Sequence, residues 1–492
     1  MIHSRTIHPQ IQALAKQLRT KFPAGEVFLV GGPVRDLLLG KPIKDYDLLV
    51  RGVPAKPLET FLKSKGQVNL VGKSFGVFKL KIKNSKLEID VALPRTEHTL
   101  AHTGAYRDFT VQSDYRLSVA EDLSRRDFTV NAMAFDLITK KLIDPFGGQR
   151  DLKMKQVRAV GTPAKRLGED YSRILRAVRF ACQLNFTIEA KTWSALKRLA
   201  PRINQKISDE FVVPRETIAK ELLKTFYHNP PKALELLDSA GLVKALTPEL
   251  LKMKGCPQPT NWHTEGDVWT HTLICLKNLR AKKYQAKFPG HGSATLTLAV
   301  LLHDLGKPYT LQTPEQHGTD RIRFNGHDLV GAELADKICE RLKLSAYKDS
   351  DIDCDPEAVS WIIRHHMLTV SGKVGEMKNT TLEKYFFSER PGAELLRLMY
   401  VDAISTVPKN GAPDLTTFRS LEQRLNNLTK LGNATKRRLP RPLLDGNVIM
   451  RLLKLKPGPK IGKLITKLRE EQLKGKIKTT AAAQAFIRKI HG

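Results

Sequence analysis

The sequence has few of the features that mark membrane or secreted proteins. No apolar run approaches the roughly 20 residues that a membrane-spanning helix requires, and residues 1–20 lack the apolar stretch and cleavage site of a signal peptide. The cysteines are odd in number and never in C-x-x-C spacing; they are Cys182, Cys256, Cys275, Cys339 and Cys354. This pattern predicts reduced, structural thiols in a soluble cytoplasmic protein without a membrane partner.

Acidic and aromatic residues are also scarce. Only 50 Asp and Glu stand against 82 Lys and Arg, so the net charge is +32 and the isoelectric point is near 9.9. This excess favours a polyanionic partner, because phosphate neutralisation drives nucleic-acid binding; solubility is the alternative explanation, and half the charge would provide it. Aromatics make up 7% of the chain, too few for an obvious base-stacking platform. At 492 residues the chain has room for several domains.

Residues 27–50 (VFLVGGPVRDLLLGKPIKDYDLLV) are the most informative stretch. An apolar run ends at Gly31-Gly32, a short amphipathic segment carries Arg35, and a second apolar run follows. The order predicts a strand, a glycine turn, a helix and a strand. The glycines and the start of the helix would admit a phosphate, since no Cβ intervenes and backbone N–H groups are unpaired there.

Two aspartates precede the second apolar run. Asp45 and Asp47 are two apart, so on a strand both carboxylates point to one face. Such oxygen ligands suit Mg²⁺, which usually binds one or two carboxylates together with substrate phosphates. A phosphate-binding turn beside this pair indicates phosphoryl or nucleotidyl transfer, whereas a lone D-x-D is more often an acidic turn between strands.

The stretch resembles the signature of class II nucleotidyltransferases of the polymerase-β superfamily, which are tRNA CCA-adding enzymes and bacterial poly(A) polymerases. The resemblance implies that Gly32 and Arg35 bind the nucleotide and that a third carboxylate lies nearby. Asp90 is the candidate, as a base for the attacking hydroxyl, although Glu88 shares its strand face. Residues 92–117 have no sustained period and are predicted as a loop, which in this family matters for the change from adding C to adding A.

The string RRDFTVNAMA (125–134) resembles the second motif of the family. The resemblance implies that Arg126 contacts the triphosphate or sugar and that Asp127 holds Arg126 in place. Arginine suits this task because its guanidinium pairs with phosphate through two hydrogen bonds. Asp122 fits a helix N-cap before this string. IDPFGGQRDL (143–152) resembles the third motif, which positions domains and has no chemical role.

GEDYSRILRAVRFACQL (168–184) is predicted as a helix with Asp170 and Arg173 one turn apart on a shared face. A surface salt bridge is the ordinary explanation of a lone D-x-x-R. The resemblance to the family motif implies instead that this pair reads the Watson–Crick edge of the incoming base. Asp170 would accept from the exocyclic amine of cytosine or adenine, which uracil and guanine lack at that position. Arg176 and Arg179 would then be the residues that contact the triphosphate.

Residues 207–224 occupy the place of the fifth family motif but match it poorly. Glu221 and Lys224 fit its end, while Thr217 stands where Arg is common. No catalytic role is predicted for this segment.

A second constellation follows in the C-terminal half. Histidines and aspartates occur in the order of the pattern H…HD…H…H…D, at His271, His303, Asp304, His327, His366 and Asp402. His365 is an alternative to His366, because adjacent helical residues point about 100° apart. Such ligands from several helices suit a divalent metal that activates water. The pattern resembles the HD phosphohydrolases, which implies a transition metal such as Ni²⁺ or Mn²⁺ and a phosphatase or 2′,3′-cyclic phosphodiesterase activity.

Beyond Asp402 the chain becomes strongly basic. Residues 456–462 (KPGPKIG) are interpreted as a hairpin whose backbone N–H groups and Lys460 bind an RNA phosphate. A basic helical pair kept for solubility is an equal alternative.

The resemblance as a whole implies an α+β fold. A polymerase-β-like nucleotidyltransferase head with a mixed sheet (1–150) precedes an all-α neck and body (151–255), a helical HD domain (256–425) and a basic helical RNA-binding tail (426–492). The implied activity is template-independent addition of CCA to the acceptor end of tRNA from CTP and ATP, with two Mg²⁺ ions. Alternatives are a poly(A) polymerase, a partial enzyme adding only CC or only A, and an RNA-end phosphohydrolase.

Overall fold

The computed structural model describes residues 7–71, 77–99, 103–105, 109–290, 292–349, 352–369, 374–388, 391–431 and 439–491. The chain divides into two compact units, Met1–Leu246 and Thr247–Gly492. The predicted head and body therefore fall largely in the first unit, and the predicted HD domain and tail in the second. The finer boundaries at 150, 255 and 425 stay predictions.

The first half of unit 1 contains a seven-stranded mixed sheet. Its elements and their neighbours are α1 (Pro9–Lys21), β1 (Glu26–Val30), α2 (Gly32–Leu38), β2 (Tyr46–Arg51), α3 (Ala55–Lys63), β3 (Gly66–Val71), β4 (Val77–Ile82), β5 (Glu88–Ala92), β6 (Arg95–Thr99), β7 (Phe109–Ser113), α4 (Val119–Ser124), β8 (Ala134–Asp136), β9 (Leu142–Ile143) and α5 (Gly148–Lys153). The strand order is β3-β4-β5-β2-β1-β8-β9. Only β2 and β5 pair in parallel; the other pairs in this sheet are antiparallel.

The central strands are apolar because they are covered on both faces. Phe28, Val30 and Leu49 pack with Val119 and Leu123 of α4 in one buried cluster. The packing of this cluster fixes the register, because a shift of one residue would move Phe28 and Val30 out of it and to the opposite face of the sheet. The sheet therefore holds the residues that follow β1 and begin β2 in a defined position.

The sequence predicted a loop for residues 92–117, but part of this stretch forms two paired strands. β6 and β7 pair antiparallel, with Arg95 opposite Ser113 and Glu97 opposite Val111. Charged residues interrupt the alternation of apolar residues that reveals a strand, which explains the error. Residues 100–102 and 106–108 lie outside the described residues.

The rest of unit 1 is mainly helical. It contains β10 (Gln156–Val157), α6 (Pro163–Glu169), α7 (Ser172–Leu184), β11 (Thr187–Ile188), α8 (Ala190–Leu199), β12 (Lys206–Ile207), β13 (Glu210–Phe211), α9 (Arg215–His228), α10 (Pro230–Ser239) and α11 (Leu242–Leu246). α7 is buried along most of its length and packs on α9. Asn185 ends α7 in the left-handed conformation, at φ +57°, which asparagine tolerates better than most residues.

Unit 2 is helical. Its elements are α12 (Val268–Asn278), α13 (Lys282–Lys287), α14 (Ala294–Leu302), α15 (Lys307–Thr310), α16 (Pro314–His317), α17 (His327–Arg341), α18 (Pro356–His365), α19 (Asn379–Glu383), α20 (Gly392–Ser405), α21 (Thr416–Leu431), α22 (Gly446–Leu453), α23 (Pro459–Leu473) and α24 (Thr480–His491). Every residue of α14 is buried, as expected of a helix that is apolar on all sides. None of the helices in the described part of the chain combines the length and apolar character needed to cross a bilayer.

The basic tail has its own core. Leu444, Ile449, Leu464, Leu468 and Ile487 bring α22, α23 and α24 together. The segment 456–462 is not the hairpin that the sequence predicted: residues 454–458 connect α22 to α23, and residues 459–462 form the first turn of α23. The tail is thus a three-helix bundle whose apolar residues face inward and whose lysines remain exposed.

Candidate functional site

Unit 1 contains a cavity of about 570 Å³. Most of the residues that the sequence predicted for nucleotide binding line it. The lining consists of Gly32, Arg35, Asp47, Arg95, Glu97, Arg125, Arg126, Asp127, Asn131, Asp170, Ser172, Arg173, Arg176, Phe180, Val212, Val213, Pro214 and Thr217. The volume lies within the range of small-molecule binding sites.

The glycine turn after β1 admits an arginine to this cavity. Gly31 has φ +75° and ψ −133°, a conformation that is essentially restricted to glycine. A Cβ at this position would lie 2.6 Å from Nη1 of Arg126. Arg126 also donates to the backbone oxygen of Asn131 at 3.3 Å. Glycine is therefore required by the backbone conformation, and a side chain here would also displace the guanidinium of Arg126.

Arg35 is buried in the first turn of the helix after the glycines. Its Nε and Nη2 donate to Asp36, and its Nη1 donates to Oδ1 of Asn131 at 2.8 Å. The ring of Phe180 lies 5.7 Å from its guanidinium carbon. These contacts fix the direction of the guanidinium, which lines the cavity as the sequence predicted.

The two aspartates of the D-x-D pair occupy different environments. Asp45 is exposed and precedes β2, while Asp47 is half-buried within β2 and lines the cavity. Asp90 lies directly beside Asp47 on the parallel strand β5. The structure thus corrects the placement of Asp45 on the strand, and it places Asp90 rather than Glu88 next to Asp47.

The charges around Asp47 explain a shift in its pKa. Burial raises the pKa of the Asp47 carboxyl above its usual value; Arg126 opposes the shift, and Asp90 and Asp45 add to it. Both neighbours are therefore close enough to repel Asp47. Such repulsion is relieved by a cation, and oxygen donors of this kind suit Mg²⁺.

The three carboxylates alone do not make a closed metal site. Among the described residues, they form no group whose donor atoms all lie within 4.8 Å of one another. Mg²⁺ commonly binds one or two carboxylates and takes further ligands from substrate phosphates and water. The residues present fit that open arrangement, with Asp45 and Asp47 as protein ligands.

Arg126 is held by a different acid from the one predicted. Asp122 is fully buried and accepts from Arg126 at 3.3 Å and from Arg125 at 2.7 Å. The predicted partner, Asp127, instead accepts two hydrogen bonds from Arg176, at 2.6 and 2.9 Å. Asp122 is also not an N-cap: Ser118 caps α4, in a capping box with Glu121.

Asp170 and Arg173 both line the cavity, but not as one face of a helix. Asp170 has extended backbone and lies between α6 and α7, where its Oδ1 accepts from the backbone N–H of Ser172 at 2.8 Å. Arg173 lies in the first turn of α7, with its Nε 3.9 Å from Oδ2 of Asp170. Glu169 accepts from Nη1 of Arg173 at 2.9 Å. The pair is adjacent as predicted, while the prediction of a shared helical face was wrong.

Arg176 and Arg179 differ in their surroundings. Arg176 lines the cavity, and its ion pair with Asp127 outweighs burial and raises its pKa. Arg179 is not among the lining residues; it is buried and donates to Glu221 of α9 at 2.6 Å. Its guanidinium lies 4.0 Å from the centre of the Phe180 ring. The position of Arg179 fits a link between α7 and α9 better than contact with a triphosphate.

Several lining residues were not predicted from the sequence. Glu97 accepts from Arg125 at 2.7 Å and lies 3.8 Å from Arg173, which connects the β6–β7 hairpin to the arginines of the cavity. Arg95 and Glu97 fall in the stretch predicted as a loop. Thr217, noted only as a departure from the family motif, lies in the wall. No local pattern marks these residues, because only tertiary pairing brings them to the cavity.

Unit 2 brings the second set of predicted ligands together. His271 Nε2 lies 3.0 Å from Asp402 Oδ1 and 3.8 Å from Asp304 Oδ2. His303 Nε2 lies 3.3 Å from Asp304 Oδ2. The remaining two histidines approach the other oxygen of Asp304; the distances to Oδ1 are 3.7 Å for His327 and 4.0 Å for His366.

All four histidines are held through the same ring nitrogen. Nδ1 of His303, His327 and His366 contacts a backbone oxygen, at 2.9, 2.8 and 2.6 Å. Nδ1 of His271 contacts Oε1 of the buried Glu265 at 2.9 Å. Donation from Nδ1 leaves the Nε2 lone pair free, which is the usual state of a metal-bound histidine. The donor set therefore fits a divalent transition metal.

The structure also separates His366 from its neighbour. His366 is buried in the cluster, whereas the His365 ring lies 4.4 Å from the ring of Trp361 and 5.0 Å from that of Tyr385, measured between ring centres. Nδ1 of His365 contacts the oxygen of Trp361. Of the two alternatives, His366 is the one that can serve as a ligand.

The histidines experience opposing electrostatic effects. Burial disfavours the charged form of His303, but the Asp304 carboxylate outweighs burial and raises the pKa of His303 to about 9. Burial, together with His327 and His303, lowers the pKa of His366 to about 4. A metal binds neutral imidazole, so His366 is ready for a metal at neutral pH, whereas His303 must release a proton.

Cys275, Glu265 and Lys307 were not predicted near these ligands. Cys275 Sγ lies 3.4 Å from His271 Nε2, and Nζ of the buried Lys307 lies 2.7 Å from Asp304 Oδ2. The H-x-x-x-C spacing in α12 is the one signal in the sequence that would have suggested Cys275, since residues four apart share a helical face.

Family models match three segments of the chain. The poly(A) polymerase head domain matches residues 27–158, the probable RNA- and SrmB-binding site of polymerase A matches 185–253, and the HD domain matches 268–406. The first two segments supply part of the cavity of unit 1, whose Asp170, Arg173 and Arg176 lie between them in the chain, and the third supplies the histidine cluster of unit 2.

Similar proteins and structures agree with these matches. A multifunctional CCA protein of Neisseria meningitidis is 37% identical over 360 residues, or 73% of this chain and 76% of that protein. Another, of Janthinobacterium, is 34% identical over 65% of this chain and 69% of that protein. A Bacillus stearothermophilus CCA-adding enzyme in complex with CTP shares the fold, with a TM-score of 0.64, 20% identity and coverage of 99% of this chain and 98% of that one.

A Thermotoga maritima CCA-adding enzyme complexed with tRNA also shares the fold, with a TM-score of 0.58, 20% identity and coverage of 99% and 97%. The curated relatives that match most of the chain thus carry one description, multifunctional CCA protein. The chain contains an HD domain, and it belongs to the tRNA nucleotidyltransferase/poly(A) polymerase family, specifically to its multifunctional CCA proteins.

Proposed function

We propose that this chain adds CCA to the 3′ acceptor end of tRNA from CTP and ATP, by nucleotidyl transfer with two Mg²⁺ ions. The observation that carries the proposal is the cavity of unit 1, which brings Asp47 together with six arginines, including Arg173, and with Asp170. The name of the Neisseria relative and the CTP and tRNA complexes of the structural neighbours support the same activity.

The residues divide into three tasks. Asp45 and Asp47 would hold the ions, with Asp90 beside them as a base toward the attacking 3′-hydroxyl. When bound, Mg²⁺ lowers the pKa of that hydroxyl and neutralises charge on the triphosphate. Arg35, Arg126 and Arg176 would bind phosphate and sugar, with Gly32 leaving room for the close approach of the nucleotide.

The third task is the choice of base. Asp170 is fixed through Oδ1 by the N–H of Ser172, which leaves Oδ2 to accept from an exocyclic amine. Arg173, oriented by Glu169, would donate to the ring nitrogen beside that amine. Cytosine and adenine satisfy both groups. Uracil and guanine would place a carbonyl against Asp170 and leave a buried acceptor unpaired, which is strongly unfavourable.

The test is incorporation into tRNA that lacks its 3′ CCA, with CTP, ATP or both. Asp47→Asn removes one carboxylate charge at the proposed metal site, so we expect incorporation to fall by at least about 10³-fold, on the scale of removing one group that stabilises charge in a transition state, while tRNA affinity is retained. Product length is read on a sequencing gel and affinity by filter binding.

The control is Asp209→Asn, which changes an exposed aspartate outside the cavity. A CCA enzyme stops after three additions. Continued extension with ATP would identify a poly(A) polymerase instead, and arrest after CC or addition of A alone would identify a partial enzyme. Normal turnover by Asp47→Asn would contradict the metal assignment.

The histidine cluster supports a second activity, metal-dependent hydrolysis of phosphate esters at RNA ends. Six buried or half-buried ligand residues converge there, and Lys307 lies beside them as a partner for a phosphate oxygen. A phosphatase or 2′,3′-cyclic phosphodiesterase would trim damaged ends before they are rebuilt. The work of both units on tRNA ends, together with five free and buried cysteines, supports a cytoplasmic location.

Neighbouring histidines provide a matched test of this second activity. His366→Gln removes a ligand and should abolish hydrolysis of 2′,3′-cyclic nucleotide in the presence of Ni²⁺ or Mn²⁺. His365→Gln changes the adjacent, stacked histidine outside the cluster and should retain it. Equal loss in both variants, or in neither, would contradict a role of the cluster in hydrolysis.

A further inference from the structure

α12 presents two potential metal ligands one turn apart. His271 and Cys275 are four positions apart, are both fully buried and lie on the same face of the helix. The distance between Cys275 Sγ and His271 Nε2 is 3.4 Å. The pattern H…HD…H…H…D contains no cysteine, so the thiol is a donor beyond the set that the pattern supplies.

Cys275 belongs to a group of four donors. His271 Nε2, Cys275 Sγ, His303 Nε2 and an oxygen of Asp402 all lie within 4.8 Å of one another. Four donors bound tetrahedrally at about 2.0–2.3 Å from one ion are about 3.3–3.8 Å apart. The distances from His271 to Cys275 and from His303 to Asp402, 3.4 and 3.9 Å, lie close to this range.

The other ligands form a second group, which Asp304 connects to the first. Asp304, His327 and His366 also have donor atoms within 4.8 Å of one another, and His327 Nε2 lies 3.2 Å from His366 Nε2. Asp304 faces this group with Oδ1, while its Oδ2 faces His271 and His303. Asp304 therefore lies between the two groups, with Oδ2 3.3 Å from His303 Nε2 and 3.8 Å from His271 Nε2.

Among the described residues, Cys275 is the one cysteine that lies in a group of potential metal ligands. All five are free and buried. Among the described residues, however, Cys182, Cys256, Cys339 and Cys354 belong to no group of three or more potential ligands. Burial alone therefore does not place a cysteine next to metal donors in this chain.

We propose that Cys275 is a thiolate ligand of a metal that His271, His303 and Asp402 also hold, with Oδ2 of Asp304 beside these donors. Metal binding forms the S–metal bond and releases the thiol proton to solvent. One sulfur, two nitrogen and one oxygen donors in a tetrahedron select Zn²⁺ or Co²⁺ over the harder Mn²⁺ or Mg²⁺.

The proposal is tested on the full chain, stripped of metal by a chelator and titrated with Co²⁺. Thiolate ligation produces a sulfur-to-cobalt charge-transfer band in the near ultraviolet, which the all-oxygen ligands of unit 1 cannot produce. We expect the band in the wild type and its loss in Cys275→Ser. Cobalt affinity should fall by at least about tenfold, the smallest loss typical of disturbing a metal site. Cys339→Ser, which removes another buried thiol of unit 2, should keep both the band and the affinity.

The zinc-loaded wild type gives a second measurement that needs no variant. X-ray absorption should detect a sulfur neighbour at about 2.3 Å from zinc. A wild type that binds cobalt without the band, a band that persists in Cys275→Ser, or a zinc shell without sulfur would each overturn the proposal. These readouts report ligation only, so they are independent of CCA addition and of hydrolysis.

Discussion

At the residue scale, the position of Asp170 decides what its substitution can reveal. Its Oδ1 is engaged by the N–H of Ser172 at the start of α7, and an asparagine side-chain oxygen accepts such a bond equally well. Asp170→Asn therefore preserves the local structure. It replaces the second oxygen, the one available to the base, with an amide donor.

We expect Asp170→Asn to relax the choice of base. The ratio of CTP to UTP incorporation should fall by about 10- to 100-fold, which corresponds to the value of one hydrogen bond to a charged group. The measurement is kcat/KM for each nucleotide on tRNA that lacks its CCA end. Asp209→Asn serves again as the control. A uniform loss for all nucleotides, with the ratio unchanged, would make Asp170 only a helix cap.

The individual residues also show the limits of reading a sequence. The motif around Gly31 and the string around Arg126 are local, and the structure brings both to one cavity as predicted. The acid that holds Arg126 could not be deduced, because Asp122 and Asp127 are both near it in the chain. The approach of His271 to Asp402 spans 131 positions, and only their order in a known pattern allowed the prediction.

At the scale of elements, α7 and α9 are joined by a buried ion pair. Arg179 and Glu221 are both nearly inaccessible, and Arg176 lies 3.8 Å from Glu221 on the same side. Removal of one member leaves a charge without a partner in the interior, whereas removal of both leaves an apolar contact. The ion pair thus contributes to the stability of the packing between α7, which forms part of the cavity wall, and α9.

We expect Glu221→Leu to destabilise unit 1 by about 3–5 kcal/mol, the range for breaking a buried ion pair. The double variant Arg179→Leu/Glu221→Leu should recover most of this loss, since no uncompensated charge remains. Thermal and denaturant unfolding of both variants and of Arg179→Leu completes the double-mutant cycle. Strictly additive single effects would show that the two residues are not coupled.

Elements were predicted well where their periodicity was simple. The strands around residues 27–50 have apolar patterns that extend over the whole element. The β6–β7 hairpin was missed because polar and charged residues on its strands form ion pairs with α4 and α7 instead of an apolar face. The start of α7 was misplaced because an extended residue, Asp170, precedes it inside an otherwise helical pattern.

At the scale of the whole molecule, positive charge is concentrated in the tail. Residues 439–491 contain 13 Lys and Arg against 3 Asp and Glu. Lys460, Lys463 and Lys467 of α23 are exposed, while the apolar side of the same helix is buried in the three-helix core. From the sequence alone, RNA binding and solubility explain this charge equally well.

Salt dependence distinguishes the two explanations. If the tail binds phosphates, Lys460→Gln/Lys463→Gln/Lys467→Gln in the full chain should lower tRNA affinity and reduce the slope of log K against log salt by about 0.7–0.9 for each phosphate that is no longer neutralised. The KM for CTP should not change. A matched variant with Lys282, Lys283 and Lys337 replaced by Gln removes the same charge elsewhere in unit 2 and should have a smaller effect on the slope. Equal slopes in the two variants would favour solubility.

The parallel pairing of β2 with β5 restricts how this protein can vary in length. Asp47 and Asp90 are side by side because the backbone register aligns them, and side chains alternate between faces at every step along a strand. A single residue inserted within β5 would turn Asp90 away and leave an aliphatic neighbour beside Asp47. Insertions between β4 and β5, at residues 83–87, preserve the pairing. We therefore expect homologous chains to gain and lose residues in that turn and almost never in the strand.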